Sequence, residues 1–262
     1  MPLKFCANLS FMFQETSSLL ERYAIAARAG FRAVECAFPY DHPIDEVVAA
    51  KEDAKVKQIL INIHVGDRSK GELGTAAIPG KQEEFKKSLD LAIDYAKALK
   101  CNRIHIMSGT VETPTQENME TYDRNMNYAA SILASNDIVG LIEPINNWSV
   151  PQYFMNSYEK ALDLVQSINS PNLKLMMDIF HLQHLKGNLT RNIKELLPYV
   201  GHIQIAQVPD RHEPGTPGEI NFSYLFSVLE QQNYDQWIGL EYKPQGDTLT
   251  GLKWLRDFGL EL

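Results

Sequence analysis

The chain has 262 residues, a formal net charge of -8 and a hydrophobic fraction of 44%, with a mean hydropathy of -0.26. These are the figures of a soluble globular protein long enough to bury a sizeable core. They exclude a membrane span, since no apolar run approaches roughly 20 residues, and they speak against nucleic-acid binding, which needs Lys and Arg to neutralise phosphates.

Eight strand-like segments follow in order: KFCANL (4–9), AVECA (33–37), ILINIH (59–64), RIHIM (103–107), VGLIEP (139–144), LKLMMD (173–178), HIQIA (202–206) and WIGLEY (237–242). Helical patterns lie between them. SSLLERYAIAARAG has apolar residues at helical spacing and a closing Gly. KQEEFKKSLDLAIDYAKALK is amphipathic and follows Pro79 and Gly80, and SYEKALDLVQSI opens on the cap Ser157. NFSYLFSVLEQQNY and TGLKWLRDFG supply the last two. Strict β/α alternation, with strands that lack polar alternation, predicts a parallel sheet covered by helices. Eight units in 262 residues match a (β/α)8 TIM barrel forming a single α/β domain over residues 1–262. An open doubly wound sheet would more often carry a Gly-rich phosphate loop, which this chain lacks.

Two connections exceed a tight turn: VGDRSKGELGTAAIPGK (65–81) and QVPDRHEPGTPGEIN (207–221). Both follow predicted strands and are expected at the functional face as lids or walls. Cys6, Cys36 and Cys101 have no CxxC spacing and fall in or beside strands, as reduced, buried thiols do. The N-terminus, MPLKFCANLSF, has no signal-peptide pattern. A cytoplasmic location is therefore expected.

Four oxygen-bearing side chains fall at or near consecutive strand ends: Glu143, Asp178, Gln204 and Glu241. In a parallel barrel those ends open onto one face, so the four would converge. Such clustered negative charge is costly unless a cation lies between. Oxygen donors without sulfur suit a hard divalent ion, Mg²⁺ or Mn²⁺, better than zinc. His181, three residues past Asp178, can reach the same pocket, and His64 at the third strand end is a further substrate-binding candidate. His105 suits the pocket or a core layer equally. Arg211 is the first choice for holding a substrate carboxylate, since guanidinium grips it in a bidentate fork. Arg68, Lys70 and Glu72 could close over the site. Phe11, Phe38, Tyr40 and Tyr242 could exclude water or pack the barrel.

The segments VGLIEPIN, LKLMMDIFH, GHIQIAQVPDRHEPGTPGEINF and IGLEYKPQGDT resemble the hydroxypyruvate isomerases of the xylose-isomerase-like barrel superfamily, and the likeness extends over nearly the whole chain. It implies isomerisation of hydroxypyruvate to tartronate semialdehyde. It also implies a divalent metal held by Glu143, Asp178, Gln204 and Glu241, with the two glutamates as proton donor and acceptor. Ketose 3-epimerases resemble the same pattern but commonly carry His where this chain has Gln204, and Glu where it has Ser149. Both departures favour the isomerase branch, while a four-carbon keto acid or ketose stays open as substrate. The DNA-repair endonucleases of the superfamily need more histidine ligands and a basic groove. A non-catalytic metabolite-binding barrel would have lost ligands that are all present here. The expected partner is a small anionic molecule, with no nucleic acid and no membrane; a homo-oligomer is left open.

Overall fold

A computed structural model describes residues 2–262. Eight parallel strands close in sequence order into a barrel: β1 (Lys4–Asn8), β2 (Ala33–Cys36), β3 (Lys57–Asn62), β4 (Arg103–His105), β5 (Val139–Ile142), β6 (Leu173–Asp178), β7 (Val200–Ile205) and β8 (Trp237–Leu240). Closure leaves no sheet edge and puts every strand's C-terminal end on one face. By internal packing the chain groups into two units. One comprises the residues up to Ile59 with Met177–Pro198 and His202–Leu262, the other Leu60–Met176 with Tyr199–Gly201.

In the first unit, Cys6, Ala33 and Ile59 form a buried cluster covered by Trp237. Register sets β1 against both neighbours, with Ala7 opposite Val34 and Asn8 opposite Glu35, and Cys6 opposite Gly239. β7 and β8 pair Gln204 with Gly239. In the second unit, Leu60, Leu141 and Met176 make the corresponding cluster.

The helices start where side chains can satisfy their free N–H groups. Ser18 caps Leu19–Arg28, and Ser157 caps Tyr158–Ile168 as its position predicts. The longest helix, Gln116–Ala134, opens on a capping box between Thr115 and Asn118. The pattern in TGLKWLRDFG resolves into two short helices, Thr248–Gly251 and Lys253–Asp257. Among the described residues, no helix is long and apolar enough to cross a membrane. Cys6, Cys36 and Cys101 are buried thiols that form no disulfide among the described residues.

Candidate active site

Asp178 ends β6 and is fully buried. Its two oxygens have separate duties. Oδ1 accepts the backbone N–H of Phe180 at 2.8 Å and caps the helix Ile179–Leu185. Oδ2 accepts from Arg211 Nη2 at 3.0 Å and lies 3.5 Å from His181 Nε2. The helix that Asp178 starts thus delivers His181 to the same place, one turn on. Burial pushes the Asp178 carboxyl above its usual range, with Arg211 opposing the shift.

Glu241 follows β8 directly and accepts from the same guanidinium nitrogen as Asp178. Arg211 Nη2 donates to Glu241 Oε2, and Arg211 Nε donates to the Glu241 carbonyl at 3.2 Å. Burial is the largest influence on the Glu241 carboxyl and raises it to about 8; Arg211 counters this, while Asp178 and Glu35 add to it. A carboxyl poised there exchanges protons near neutral pH.

Arg211 itself is fixed from all sides. Its guanidinium lies between the Phe11 and Phe180 rings, 4.8 and 4.7 Å from their centroids, a stacking that planar guanidinium favours. Its backbone sits in the left-handed region, φ 59°, uncommon for a residue with a side chain. Two backbone bonds hold that turn: Arg211 N–H to Gln207 O at 2.9 Å, and Lys243 N–H to Arg211 O at 2.7 Å. The loop 207–221 is built around the buried Gln207 amide. Nε2 donates to the carbonyls of Thr216 and Ile220, and Oε1 accepts from the N–H groups of Val208 and Ile220. Phe11 also lines a cavity of about 620 Å³ with Ser10, Gln14, Lys243 and Thr248.

Behind the carboxylates lies a residue that the strand pattern does not single out. Glu35, on β2, is completely buried. Its Oε1 accepts from Gln204 Nε2 and from Asn8 Nδ2, each at 2.8 Å. Its Oε2 lies 2.7 Å from His202 Nε2 and 3.5 Å from Cys6 Sγ. Burial would raise the Glu35 carboxyl, but His202, Gln204 and Asn8 together outweigh it and hold the group below its ordinary value. Asn8 Nδ2 continues to Glu241 Oε1 at 3.1 Å. Gln204 therefore lies within β7 with its amide N–H turned to Glu35. Its Oε1 is buried and has no hydrogen-bond partner among the described residues.

In the second unit, Glu143 follows β5 directly and is buried, with His105 Nδ1 3.5 Å from its Oε2. Burial lowers His105 to about 3, so the ring is neutral and the contact is no ion pair. His64 lies two residues past β3 and is half-buried, with its Nδ1 3.4 Å from the Gly66 N–H. Arg68, Lys70 and Glu72 are exposed. Lys70 pairs with Asp67 at 3.1 Å, and Glu72 Oε2 accepts the Asp67 N–H at 2.6 Å.

Residues 23–258 match the family model described as xylose isomerase-like TIM barrel. The chain belongs to that family. The hydroxypyruvate isomerase of Escherichia coli is 42% identical over 257 residues, covering 97% of this chain and 98% of that one. The 2-oxo-tetronate isomerase of Cupriavidus necator is 39% identical over 257 residues, with coverage of 97% and 98%. A crystal structure described as an AP endonuclease, family 2, from Brucella melitensis is 44% identical, superposes with a TM-score of 0.94, and is covered over 99% of its length by 98% of this chain.

In this xylose isomerase-like frame, the predicted residues belong to both units. The first unit brings Asp178, His181, Arg211 and Glu241 into one hydrogen-bonded group, with Gln204 joined to it through Glu35 and Asn8. Glu143 and His64 lie in the second unit. Tyr242 is buried against Trp254, whose indole N–H lies 3.3 Å from its hydroxyl, so it packs the barrel. Glu35, Asn8, His202 and Phe180 are the residues that sequence reasoning passed over. The one available signal was a charged residue inside the apolar run AVECA. Cys6, Glu35 and His202 are close enough to suggest a metal trio. Their ligand atoms are already bonded to one another, which makes the trio a structural cluster. A second group near enough to hold a metal ion includes Asp178 and His181.

Proposed function

We propose that this isomerase interconverts hydroxypyruvate and tartronate semialdehyde (2-hydroxy-3-oxopropanoate), with residues 1–262 working as one barrel domain. The observation that carries the reading is the pairing of Glu241 with Arg211: a carboxyl raised to about 8 in contact with a rigid guanidinium. A carboxyl able to exchange a proton near neutral pH and an anchor for an anionic substrate stand side by side. A proton leaves C3, an enediolate forms, a proton is added at C2, and the hydroxyl proton passes from O3 to O2. Glu143 and Glu241 are assigned as proton donor and acceptor. Arg211, with His181 3.5 Å from its Nη1, is assigned to the substrate carboxylate, and His64 to substrate binding.

Glu143, Asp178, Gln204 and Glu241 are assigned as holders of Mg²⁺ or Mn²⁺. When bound, such an ion supplies Lewis-acid stabilisation of the charge that develops on the substrate oxygens. The buried, partnerless Gln204 Oε1 supports that assignment. The pathway served would be carbohydrate and glyoxylate metabolism, and buried thiols outside any disulfide accord with a cytoplasmic location. A net charge of -8 sets a DNA backbone aside as substrate. A four-carbon keto acid is the second reading, favoured by the relative named 2-oxo-tetronate isomerase.

The test is exchange of the C3 protons of hydroxypyruvate in D₂O, with and without chelator, for the wild type and Glu241→Gln. Exchange should be rapid in the loaded wild type and fall about 10²- to 10⁴-fold in the variant. Equal exchange in both proteins would overturn the assignment of Glu241. Faster turnover of a four-carbon keto acid would move the substrate to the second reading.

A further inference from the structure

We infer that Glu35 is a positioning residue that fixes which end of the Gln204 amide faces the cation and, through Asn8, how Glu241 is turned. The inference rests on the metal-holding role proposed above. An amide can present either its oxygen or its NH₂ to a site, and only the oxygen ligates a hard cation. Glu35 decides between them. An ionised carboxylate accepts hydrogen bonds and cannot donate, so Oε1, 2.8 Å from Gln204 Nε2, can face only the NH₂ end. Gln204 Oε1 is thereby left buried and without a hydrogen-bond partner among the described residues. Leaving a buried acceptor unsatisfied is destabilising, a cost that a ligand at that oxygen would relieve.

The same carboxylate oxygen orders the other arm. Asn8 Nδ2 donates both to Glu35 Oε1 at 2.8 Å and to Glu241 Oε1 at 3.1 Å. Asn8 cannot flip without loss, because its Oδ1 accepts the Ser10 N–H at 3.0 Å. Register places Asn8 directly across from Glu35. On the far side, β8 makes room for the carboxylate: a Cβ at Gly239 would lie 2.4 Å from Glu35 Oε1 and 2.6 Å from Oε2. His202 completes the setting as the polar partner of Oε2 at 2.7 Å. Asn8 and Gln204 thus face Glu35 with donors, and Gly239 leaves its carboxylate room.

The test is Mn²⁺ affinity by titration calorimetry, with metal-free melting measured beside it, in wild type, Glu35→Gln, Gln204→Ala and Cys6→Ala. Glu35→Gln keeps the shape but can offer its own NH₂, which allows the Gln204 amide to turn. It should weaken Mn²⁺ binding about 10- to 100-fold, as should Gln204→Ala. Cys6→Ala removes another neighbour of Glu35 but leaves the Gln204 and Asn8 bonds in place, so its affinity should equal wild type whatever its melting temperature. Should Glu35→Gln fail to fold, Glu35→Asp keeps the charge beside His202 and draws the oxygen away from Gln204; weaker binding is again expected. Wild-type affinity in the folded Glu35 variant, with Gln204→Ala weakened, overturns the inference and leaves the metal site standing. No Mn²⁺ binding by wild type overturns both.

Discussion

Arg211 and Glu241 are joined twice, from guanidinium to carboxylate and from Nε to the main-chain carbonyl at 3.2 Å. The second bond fixes the first, because it ties the guanidinium plane to the backbone that carries the carboxylate. Lysine could supply the charge here but not the fork. Arg211→Lys should therefore raise the KM for hydroxypyruvate more than it lowers kcat, read by steady-state kinetics. Arg211→Ala leaves Asp178 and Glu241 facing each other without their shared cation. Its metal-free form should lose about 3 kcal/mol of stability in denaturant unfolding, with saturating Mn²⁺ restoring part of the loss.

The pH dependence of stability should carry the mark of His105. Burial lowers this histidine from 6.5 to about 3, so the folded chain keeps it neutral while the unfolded chain protonates it below about 6.5. The unfolded state then binds more protons, and stability falls as pH drops from about 6.5 towards 3, by up to about 1.4 kcal/mol per pH unit from this group. Thermal melting of metal-free wild type between pH 7 and 4 should decline more steeply than that of His105→Asn. Parallel declines would show that the ring is not held neutral.

Thiol chemistry offers a third check. Burial raises Cys36 to about 12, so at pH 8 only roughly one molecule in ten thousand carries the reactive thiolate. Cys6 and Cys101 are buried as well. Ellman's reagent should report almost no thiol in the native protein at pH 8 and all three, Cys6, Cys36 and Cys101, once guanidinium unfolds it.

The barrel and its strand-end carboxylates were legible because both leave marks at fixed periods: apolar runs of strand length, helical spacing between them, and a polar residue where each of several runs stops. Glu143, Asp178 and Glu241 needed no long-range information to be placed. Glu35 did. Its partners Gln204 and His202 are 169 and 167 positions away, and nothing local distinguishes a carboxylate inside the barrel from one on a strand's outer face. Arg211 was legible as a cation near the mouth, but its contact with Asp178 and Glu241 depends on the left-handed turn and the aromatic sandwich, which no spacing encodes. The helix Gln116–Ala134 escaped notice for a simpler reason. Its buried face includes Asn118, Thr121 and Asn125, so its apolar stripe is faint.

Gln207 gives the loop 207–221 a meaning beyond shape. Its four hydrogen bonds within the loop keep Arg211 in place before any substrate arrives. The entropy of ordering the arm proposed to bind an anion is thereby lost once, when the chain folds, and does not recur at every turnover.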